Sequence, residues 1–346
     1  MSAHWIAATF ACFGAITTFF APAVAADEVA DFYRGRTMTM LIGYPSGGGY
    51  DLYARTIARH IVRHIPGTPS IVSQNMPGAS SMLLANHLAR VAPRDGTTLG
   101  AVNSALLFDE IFAGSASKAQ FKATDMLAVG NVVSSASVLI ALSTAGVTRL
   151  DELKTRELVV GATGRSGDTY LHPLAVKRML GLDGLKIVPG YPGTREIAIA
   201  LERAEITGRV WDMEGIKAAR PQWLKDGTIR VLAQLAPQKM PEVSADVPLV
   251  KEFVTNDEDR RVLDVIFMST ILARPYIAPP GLPPARAKAL RDAFMATMRD
   301  PVFLADMDKL GMTIDPTAGE EVERIVREAH ALPAALIEKV RRVLAD

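Results

Sequence analysis

The sequence predicts an α/β protein built as two lobes. Short apolar runs alternate with amphipathic helical patterns along most of the 346 residues, and this alternation favours a mainly parallel sheet covered by helices on both faces. One series of elements begins near Met38 and a second begins at Leu158, with no linker rich in Pro, Gly or Ser between them. We therefore expect two lobes joined by crossing strands, with ligands bound at the carboxyl ends of strands.

The composition is that of a globular protein with no strong charge bias. Charged residues make up 22% of the chain and hydrophobic residues 49%, and the formal net charge is +1. A near-neutral surface gives no reason to expect binding to nucleic acid or to an anionic membrane. We expect neither partner.

The N-terminus predicts a signal peptide over residues 1–26. This segment has no Asp, Glu, Lys or Arg, residues 5–20 are apolar, and Ala23-Val24-Ala25 fits a small-x-small cleavage site. The n-region offers only His4, and an uncleaved membrane anchor is the alternative, although the apolar run is short for a span. Cleavage would remove Cys12, the one cysteine of the sequence. The prediction is an exported, periplasmic protein without disulfides.

The first series opens with a glycine-rich loop that we expect to bind an anion. An apolar run ending at Ile42 precedes Tyr44-Pro-Ser-Gly-Gly-Gly-Tyr-Asp51, and a helix with apolar residues every four positions is predicted over 51–65. Glycines allow a ligand close to the backbone, and the unpaired amides of a helix N-terminus attract anions. We expect this loop to hold a carboxylate; a plain strand-to-helix turn is the alternative.

The later elements repeat this pattern. In the first series, strands are predicted at 70–74 and 98–102, the latter ending at Asn103 and Ser104. Residues 129–142 look like one strand. The second series has strands at 158–162, 186–189, 208–212 and 229–234, with polar glycine loops at 163–169 and 190–194, and helices are predicted after Pro283, after Asp300 and around 322–329.

The sequence argues against catalysis and against a metal or cofactor. The glycines do not follow the dinucleotide-binding or phosphate-loop patterns, and residues 164–167 do not form a nucleophile elbow. His60 and His64 lie four residues apart on an Arg-rich helix without a nearby carboxylate in sequence, so we expect no metal there. His172, in the first turn after loop 163–169, is either a packing residue or a ligand contact.

Several motifs together resemble the solute-binding proteins of tripartite tricarboxylate transporters, the TctC or Bug type. They include Pro45-Ser-Gly-Gly-Gly-Tyr-Asp-Leu-Tyr-Ala-Arg55, Asn75-Met-Pro-Gly-Ala79, Pro93-Arg-Asp-Gly-Thr-Thr-Leu99 and Tyr191-Pro-Gly-Thr194. Their order is kept from about Thr37 to His330. Two places depart from the usual pattern: Gly190 separates Pro189 from Tyr191, and the stretch 208–212 around Arg209 is unusual.

The resemblance implies a two-lobe periplasmic binding protein with mixed sheets flanked by helices and a ligand cleft between the lobes. Lobe I would comprise residues 27–135 and 236–346, and lobe II residues 136–235. The resemblance also implies a monomeric, non-enzymatic receptor that captures a small carboxylate and delivers it to membrane permease subunits. Presentation of the ligand to a sensor protein is one alternative, and a hydrolase using Ser166 or Ser46 is another.

The candidate ligand-binding residues come from the loops of both lobes. We expect Asp51 to order the first loop or its water. Arg209 is expected either to pair with a second carboxylate of the ligand or to be a surface or Asp-paired arginine. The full set is Tyr44, Pro45, Gly47, Gly48, Gly49, Asp51, Asn103, Ser104, Thr163, Ser166, Gly167, Thr169, His172, Tyr191, Thr194, Arg209 and Asp212.

Overall fold

The structure, a computed structural model, describes residues 22–345, without the side chains of 22–27 and 218. Its strands are β1 Thr37–Ile42, β2 Ser70–Asn75, β3 Thr98–Ala101, β4 Leu127–Asn131, β5 Ser137–Leu142, β6 Leu158–Gly161, β7 Leu185–Val188, β8 Gly208–Asp212, β9 Ile229–Leu235, β10 Pro275–Ala278 and β11 Thr317–Ala318. Its α-helices are α1 Pro22–Tyr33, α2 Gly49–Ile61, α3 Met82–Arg90, α4 Asp109–Ala113, α5 Asp168–Leu180, α6 Thr194–Glu202, α7 Met213–Ala219, α8 Pro221–Lys225, α9 Asp257–Phe267, α10 Pro284–Thr297, α11 Pro301–Lys309, α12 Gly319–His330 and α13 Ala334–Leu344.

The strands form two mixed sheets. The first sheet has the order β11-β4-β10-β3-β1-β2, with β1, β2 and β3 parallel and with β10 antiparallel to both of its neighbours. The second has the order β7-β6-β8-β5-β9, with β6, β7 and β8 parallel and β5 antiparallel to β8 and β9. The predicted α/β class with mixed sheets flanked by helices is confirmed.

The chain crosses from the first sheet to the second between β4 and β5. The expectation of one strand over 129–142 is wrong, because Asn131 ends a strand of the first sheet and Ser137 begins a strand of the second. Both halves are apolar and buried, so the local pattern contains no sign of the break. The chain returns after β9 and enters the first sheet again at β10.

Helices cover both faces of each sheet. Apolar side chains of α2, α10 and α11 pack on one face of the first sheet, and α6 packs on one face of the second. A third cluster joins the remaining faces of the two sheets to α5, α9 and α13. This shared core holds the carboxyl ends of strands from the two sheets close to each other.

Residues 1–21, which hold most of the predicted signal peptide, lie outside the described residues, and α1 begins at Pro22. None of the helices within 22–345 combines the length and the apolar character that a membrane span requires.

Candidate functional site

The glycine-rich loop after β1 is held in place by Asp51. The buried Asp51 carboxylate accepts hydrogen bonds from Gly47 N at 2.9 Å, from Arg55 Nε at 2.8 Å and from Asn75 Nδ2 at 2.8 Å. Gly47 has φ +85°, a conformation that residues with a Cβ adopt only with strain. The carboxylate therefore orders the loop, as one of the two roles expected for Asp51.

This loop faces residues of the second sheet across a narrow gap. A Cβ added at Gly48 would lie 3.2 Å from Thr194 Oγ1, and one at Gly49 would lie 3.2 Å from Arg274 Nη2. A Cβ at Gly47 would lie 3.6 Å from the side chain of Arg195. The backbone at Gly48 and Gly49 thus packs closely against the start of α6 and against Arg274, whereas Gly47 is favoured by its positive φ.

Hydrogen bonds join the two sheet units at the carboxyl ends of their strands. Ser80 Oγ lies 2.8 Å from Thr163 Oγ1 and accepts from Gly164 N at 2.8 Å. Ser166 Oγ donates to Ala79 O at 3.1 Å. Thr163, Gly164 and Ser166 of the second sheet unit thus contact residues 79 and 80 of the first. Thr163 and Ser166 border neither of the two cavities between the units.

A second group of contacts between the units surrounds Asp168. Its two carboxylate oxygens accept hydrogen bonds at 2.9 Å from Ser104 Oγ and from Ser269 Oγ. His172 Nε2 lies 3.1 Å from the same Ser269 hydroxyl. Asp168 and Ser269 were not among the residues predicted from the sequence.

An inner cavity of about 40 Å³ lies between the units. This volume has room for about three water-sized groups, which is comparable to one carboxylate. Its walls combine residues predicted from the sequence with residues that were not, and the lining is Tyr44, Tyr50, Asn103, Ser104, Ser135, Ser137, Asp168, Thr169, Thr194, Arg209, Val210, Trp211, Asp212, Thr270, Ala273 and Arg274.

Arg209 borders this cavity as a buried cation with unused hydrogen-bond donors. The side chain is 0% exposed, Nη1 donates to Thr194 O at 3.1 Å, and the guanidinium lies 3.7 Å from the centroid of the Trp211 ring. Nε and Nη2 have no hydrogen-bond partner among residues 22–345. Burial lowers the pKa of Arg209 to about 9, against the opposing charge of Asp212, so the group is cationic at neutral pH.

Arg274, which sequence reasoning missed, forms the adjacent wall. Its Nη2 donates to Asp212 Oδ1 at 3.0 Å, and its guanidinium lies 4.4 Å from the centroid of the Tyr50 ring. Burial acts against the charge of Arg274, but the Asp212 carboxylate outweighs it and raises the pKa. Burial likewise acts to raise the pKa of Asp212, and Arg274 and Gly215 N overcome it and hold that pKa low. This pair is a structural ion pair that joins the two units.

Two stacked tyrosines form a neutral wall next to Arg274. The rings of Tyr44 and Tyr50 are 4.6 Å apart, and Asn103 Nδ2 donates to the two hydroxyls at 3.0 and 3.3 Å. Burial raises the pKa of Tyr50 to about 12, with Arg274 acting in the opposite direction, so the phenol stays protonated at neutral pH. Tyr44, Tyr50 and Asn103 thus offer polar groups without adding charge.

An outer chamber of about 170 Å³ adjoins the inner cavity. The two share Tyr50, Thr194, Trp211, Asp212 and Arg274. The chamber adds the three glycines of the first loop and a set of apolar and charged side chains, namely Leu52, Tyr53, Arg195, Ala198, Glu214, Ala219, Arg220, Leu310 and Met312.

Besides Thr163 and Ser166, five more predicted residues border neither cavity. His172 is 1% exposed and packs edge-on against Phe267, and burial lowers its pKa. Gly167 leaves no room for a side chain, because a Cβ there would lie 2.4 Å from Ser80 Oγ. Pro45 packs near Gly193, Tyr191 packs against the core of the second sheet, and Asp51 supports the first loop.

The histidine pair on α2 is used in structural contacts. His60 Nε2 lies 2.9 Å from Asp306 Oδ2, and His64 Nε2 lies 2.9 Å from Asp300 Oδ2. Within the described part of the chain, no cluster of three or more His, Cys, Asp or Glu side chains is arranged to hold a metal ion.

The fold and this cavity define an α/β binding protein with a small, charged, polar site between two sheet units. The chain belongs to the TctC family: the family model described as tripartite tricarboxylate transporter family receptor matches residues 53–341. This confirms the family resemblance of the sequence motifs.

Relatives and solved structures agree with this assignment. The chain is 24% identical over 337 residues to the UPF0065 protein in gbd 5'region of Cupriavidus necator, covering 92% of this chain and 91% of that protein. The fold is similar to that of R. palustris Rpa4515 with adipate (TM-score 0.67, 21% identity, 89% and 97% of the two chains). It is also similar to MatC of Rhodopseudomonas palustris with bound malate (TM-score 0.69, 20% identity, 89% and 99% of the two chains). A third similar structure is periplasmic binding protein BugD (TM-score 0.70, 17% identity, 90% and 98% of the two chains).

Proposed function

We propose that this protein is a non-enzymatic, extracytoplasmic receptor that captures a small organic acid between its two sheet units and delivers it to a membrane permease. The units correspond to lobe I, residues 27–135 and 236–346, and lobe II, residues 136–235. Family membership supports the transport role, and the predicted signal peptide supports a periplasmic location. We further propose that the receptor acts as a monomer.

The unpaired edge of Arg209 carries the proposal that the ligand is a carboxylate. Because Nη1 is used by Thr194 O, the nitrogens left without partners are Nε and Nη2. These two N–H groups lie side by side on one edge of the guanidinium and match the two oxygens of a carboxylate. A buried cation with unsatisfied donors is unfavourable, so a bound carboxylate would relieve a cost that the ligand-free protein carries.

The glycine-rich loop has a supporting place in this proposal. Sequence reasoning made its amides the first carboxylate contact and Arg209 the second. Asp51 already occupies the amide of Gly47, so we assign the primary carboxylate contact to Arg209. The loop then closes the outer chamber over the remainder of the ligand. Two proteins of similar fold, solved with adipate and with malate, are consistent with an acid as the ligand class.

Thermal unfolding with a panel of mono-, di- and aromatic carboxylates tests this function. A ligand that binds the folded state alone raises the melting temperature, and we expect one class of acids to do so. Arg209→Met should abolish the increase, whereas Arg203→Met, at a side chain 70% exposed, should retain it. The proposal is refuted if no acid raises the melting temperature, or if Arg209→Met responds like the wild type.

A further inference from the structure

Glu214, at the start of α7, is a second buried charge without a full set of partners. The residue is 4% exposed and borders the outer chamber. Its Oε1 lies 3.8 Å from the ammonium of Lys217, whose side chain is 40% exposed. Its Oε2 has no hydrogen-bond partner in the described residues. The chamber therefore contains an acceptor that burial has removed from water and that none of the side chains described within 22–345 satisfies.

The other charged groups around the chamber are ion-paired or exposed, although Nε of Arg274 has no hydrogen-bond partner among the described residues. Arg274 is paired with Asp212, and Arg220 donates to Glu202. Arg195 is exposed, and an ion pair with an exposed arginine contributes little because solvent already stabilises its charge. Glu214 differs from these groups because a hydrogen-bond donor placed beside it would satisfy a buried acceptor.

Arg209 and Glu214 border two different cavities, and both cavities are also bordered by the Arg274–Asp212 pair. Arg209 borders the inner cavity and Glu214 borders the outer chamber, while Asp212, Arg274 and Trp211 border both. Asp212 lies three positions after Arg209 in β8, about 10 Å along an extended strand, and Glu214 lies two positions further on. A ligand that contacts both Arg209 and Glu214 would need its two charged groups at opposite ends of the molecule, not attached to the same carbon atom.

We propose that the ligand is a bipolar amino-carboxylate, with its carboxylate on Arg209 and its terminal ammonium on Glu214. This inference rests on the proposed function and specifies its substrate class. The charges of such a ligand complement the site, because the anion would accept from Nε and Nη2 of Arg209 and the cation would donate to Oε2 of Glu214, the atoms without partners among the described residues. A dicarboxylate would place its second negative charge in a chamber that already holds the buried carboxylate of Glu214.

Calorimetric titration with acids matched in chain length tests the proposal. The probes are pentanoate, 5-aminopentanoate and pentanedioate, with the corresponding four- and six-carbon sets. We expect the amino acid to bind at least tenfold more tightly than both the alkanoate and the diacid at the best chain length. In Glu214→Gln the ratio of affinities for amino acid and alkanoate should fall to near one. The surface control Glu338→Gln, at a side chain 62% exposed, should keep the wild-type ratio.

The outcomes separate this inference from the function on which it rests. The inference is overturned if the diacid binds as tightly as the amino acid at every length, or if Glu214→Gln keeps the wild-type ratio. In those cases, acid binding that is still abolished by Arg209→Met would continue to support the proposal of a carboxylate receptor. The absence of binding by all probes, together with no response to the wider acid panel, would overturn both.

Discussion

Replacing Arg209 by methionine should stabilise the ligand-free protein, although it removes a large buried side chain. Burial lowers the pKa of Arg209 from its ordinary value to about 9. At about 1.4 kcal/mol per tenfold change in protonation, this corresponds to about 5 kcal/mol against the charged form. The variant loses the hydrogen bond to Thr194 O, worth about 2 kcal/mol, and the contact with Trp211, worth about 2 kcal/mol. The expected net gain is about 1 kcal/mol.

The neighbouring Arg274 provides a matched comparison with the opposite sign. Arg274→Met removes a buried guanidinium of the same size, but this one is paired with Asp212 at 3.0 Å. Breaking a buried pair from one side typically costs about 3–5 kcal/mol because the remaining charge is uncompensated. The comparison therefore isolates the effect of pairing from the effect of removing an arginine.

Urea unfolding, followed by circular dichroism, measures both free energies of unfolding. The proteins should first be unfolded, dialysed and refolded to remove bound acids, because a bound ligand would stabilise the wild type selectively. Arg203→Met serves as the surface control and should stay within about 0.5 kcal/mol of the wild type. A loss of more than about 2 kcal/mol in Arg209→Met, or equal losses in the two buried variants, would refute the reasoning about the unpaired cation.

Three further predictions concern the loops and the loss of folding stability at acid pH. Asp51→Asn should lower the free energy of unfolding in urea by about 2 kcal/mol, since Gly47 N loses a charged acceptor; an unchanged value would contradict the role of Asp51. Gly167→Ala, whose Cβ would lie 2.4 Å from Ser80 Oγ, should separate the units and increase the radius of gyration in small-angle X-ray scattering, and an identical radius would argue against this contact. Burial acts to raise the pKa of Asp300, but bonds from a main-chain amide, a histidine and an arginine lower it to about 2. Its stabilising effect is therefore present above about pH 4 and lost toward pH 2, so an acid titration of Asp300→Asn should lack this part of the loss seen in the wild type.

Several parts of the fold could be read from local patterns. The strand predicted over 208–212 has the bounds of β8, and the helices expected after Pro283 and Asp300 begin at Pro284 and Pro301. Proline fixes the backbone angle of a first helical turn and asparagine or aspartate caps it, so these starts are local events. The helix predicted over 51–65 instead begins at Gly49 and ends at Ile61, although Ile65 is still buried.

Other parts depended on contacts that no local pattern encodes. Strand β10, which lies between β3 and β4 in the first sheet, was not predicted, and Arg274 immediately precedes it. Tyr50 was predicted to lie in the glycine-rich loop and was not among the candidate ligand contacts, yet it borders both cavities. A possible signal for Glu214 was its place two residues after Asp212, but its burial arises from packing of α7 and could not be read from that spacing.

The sequence by itself determined the α/β class, the family and the glycine-rich loops at strand ends, because these follow from short-range periodicity and from backbone conformations that glycine and proline permit. Only the tertiary structure decided which charged side chains are paired and which are buried with unused polar atoms. It paired Arg274 with Asp212, enclosed Asp168 between two serines, and left Arg209 and Glu214 buried with unused polar atoms. The physical reason is that pairing and desolvation depend on which side chains of distant segments meet once the two sheet units close on each other.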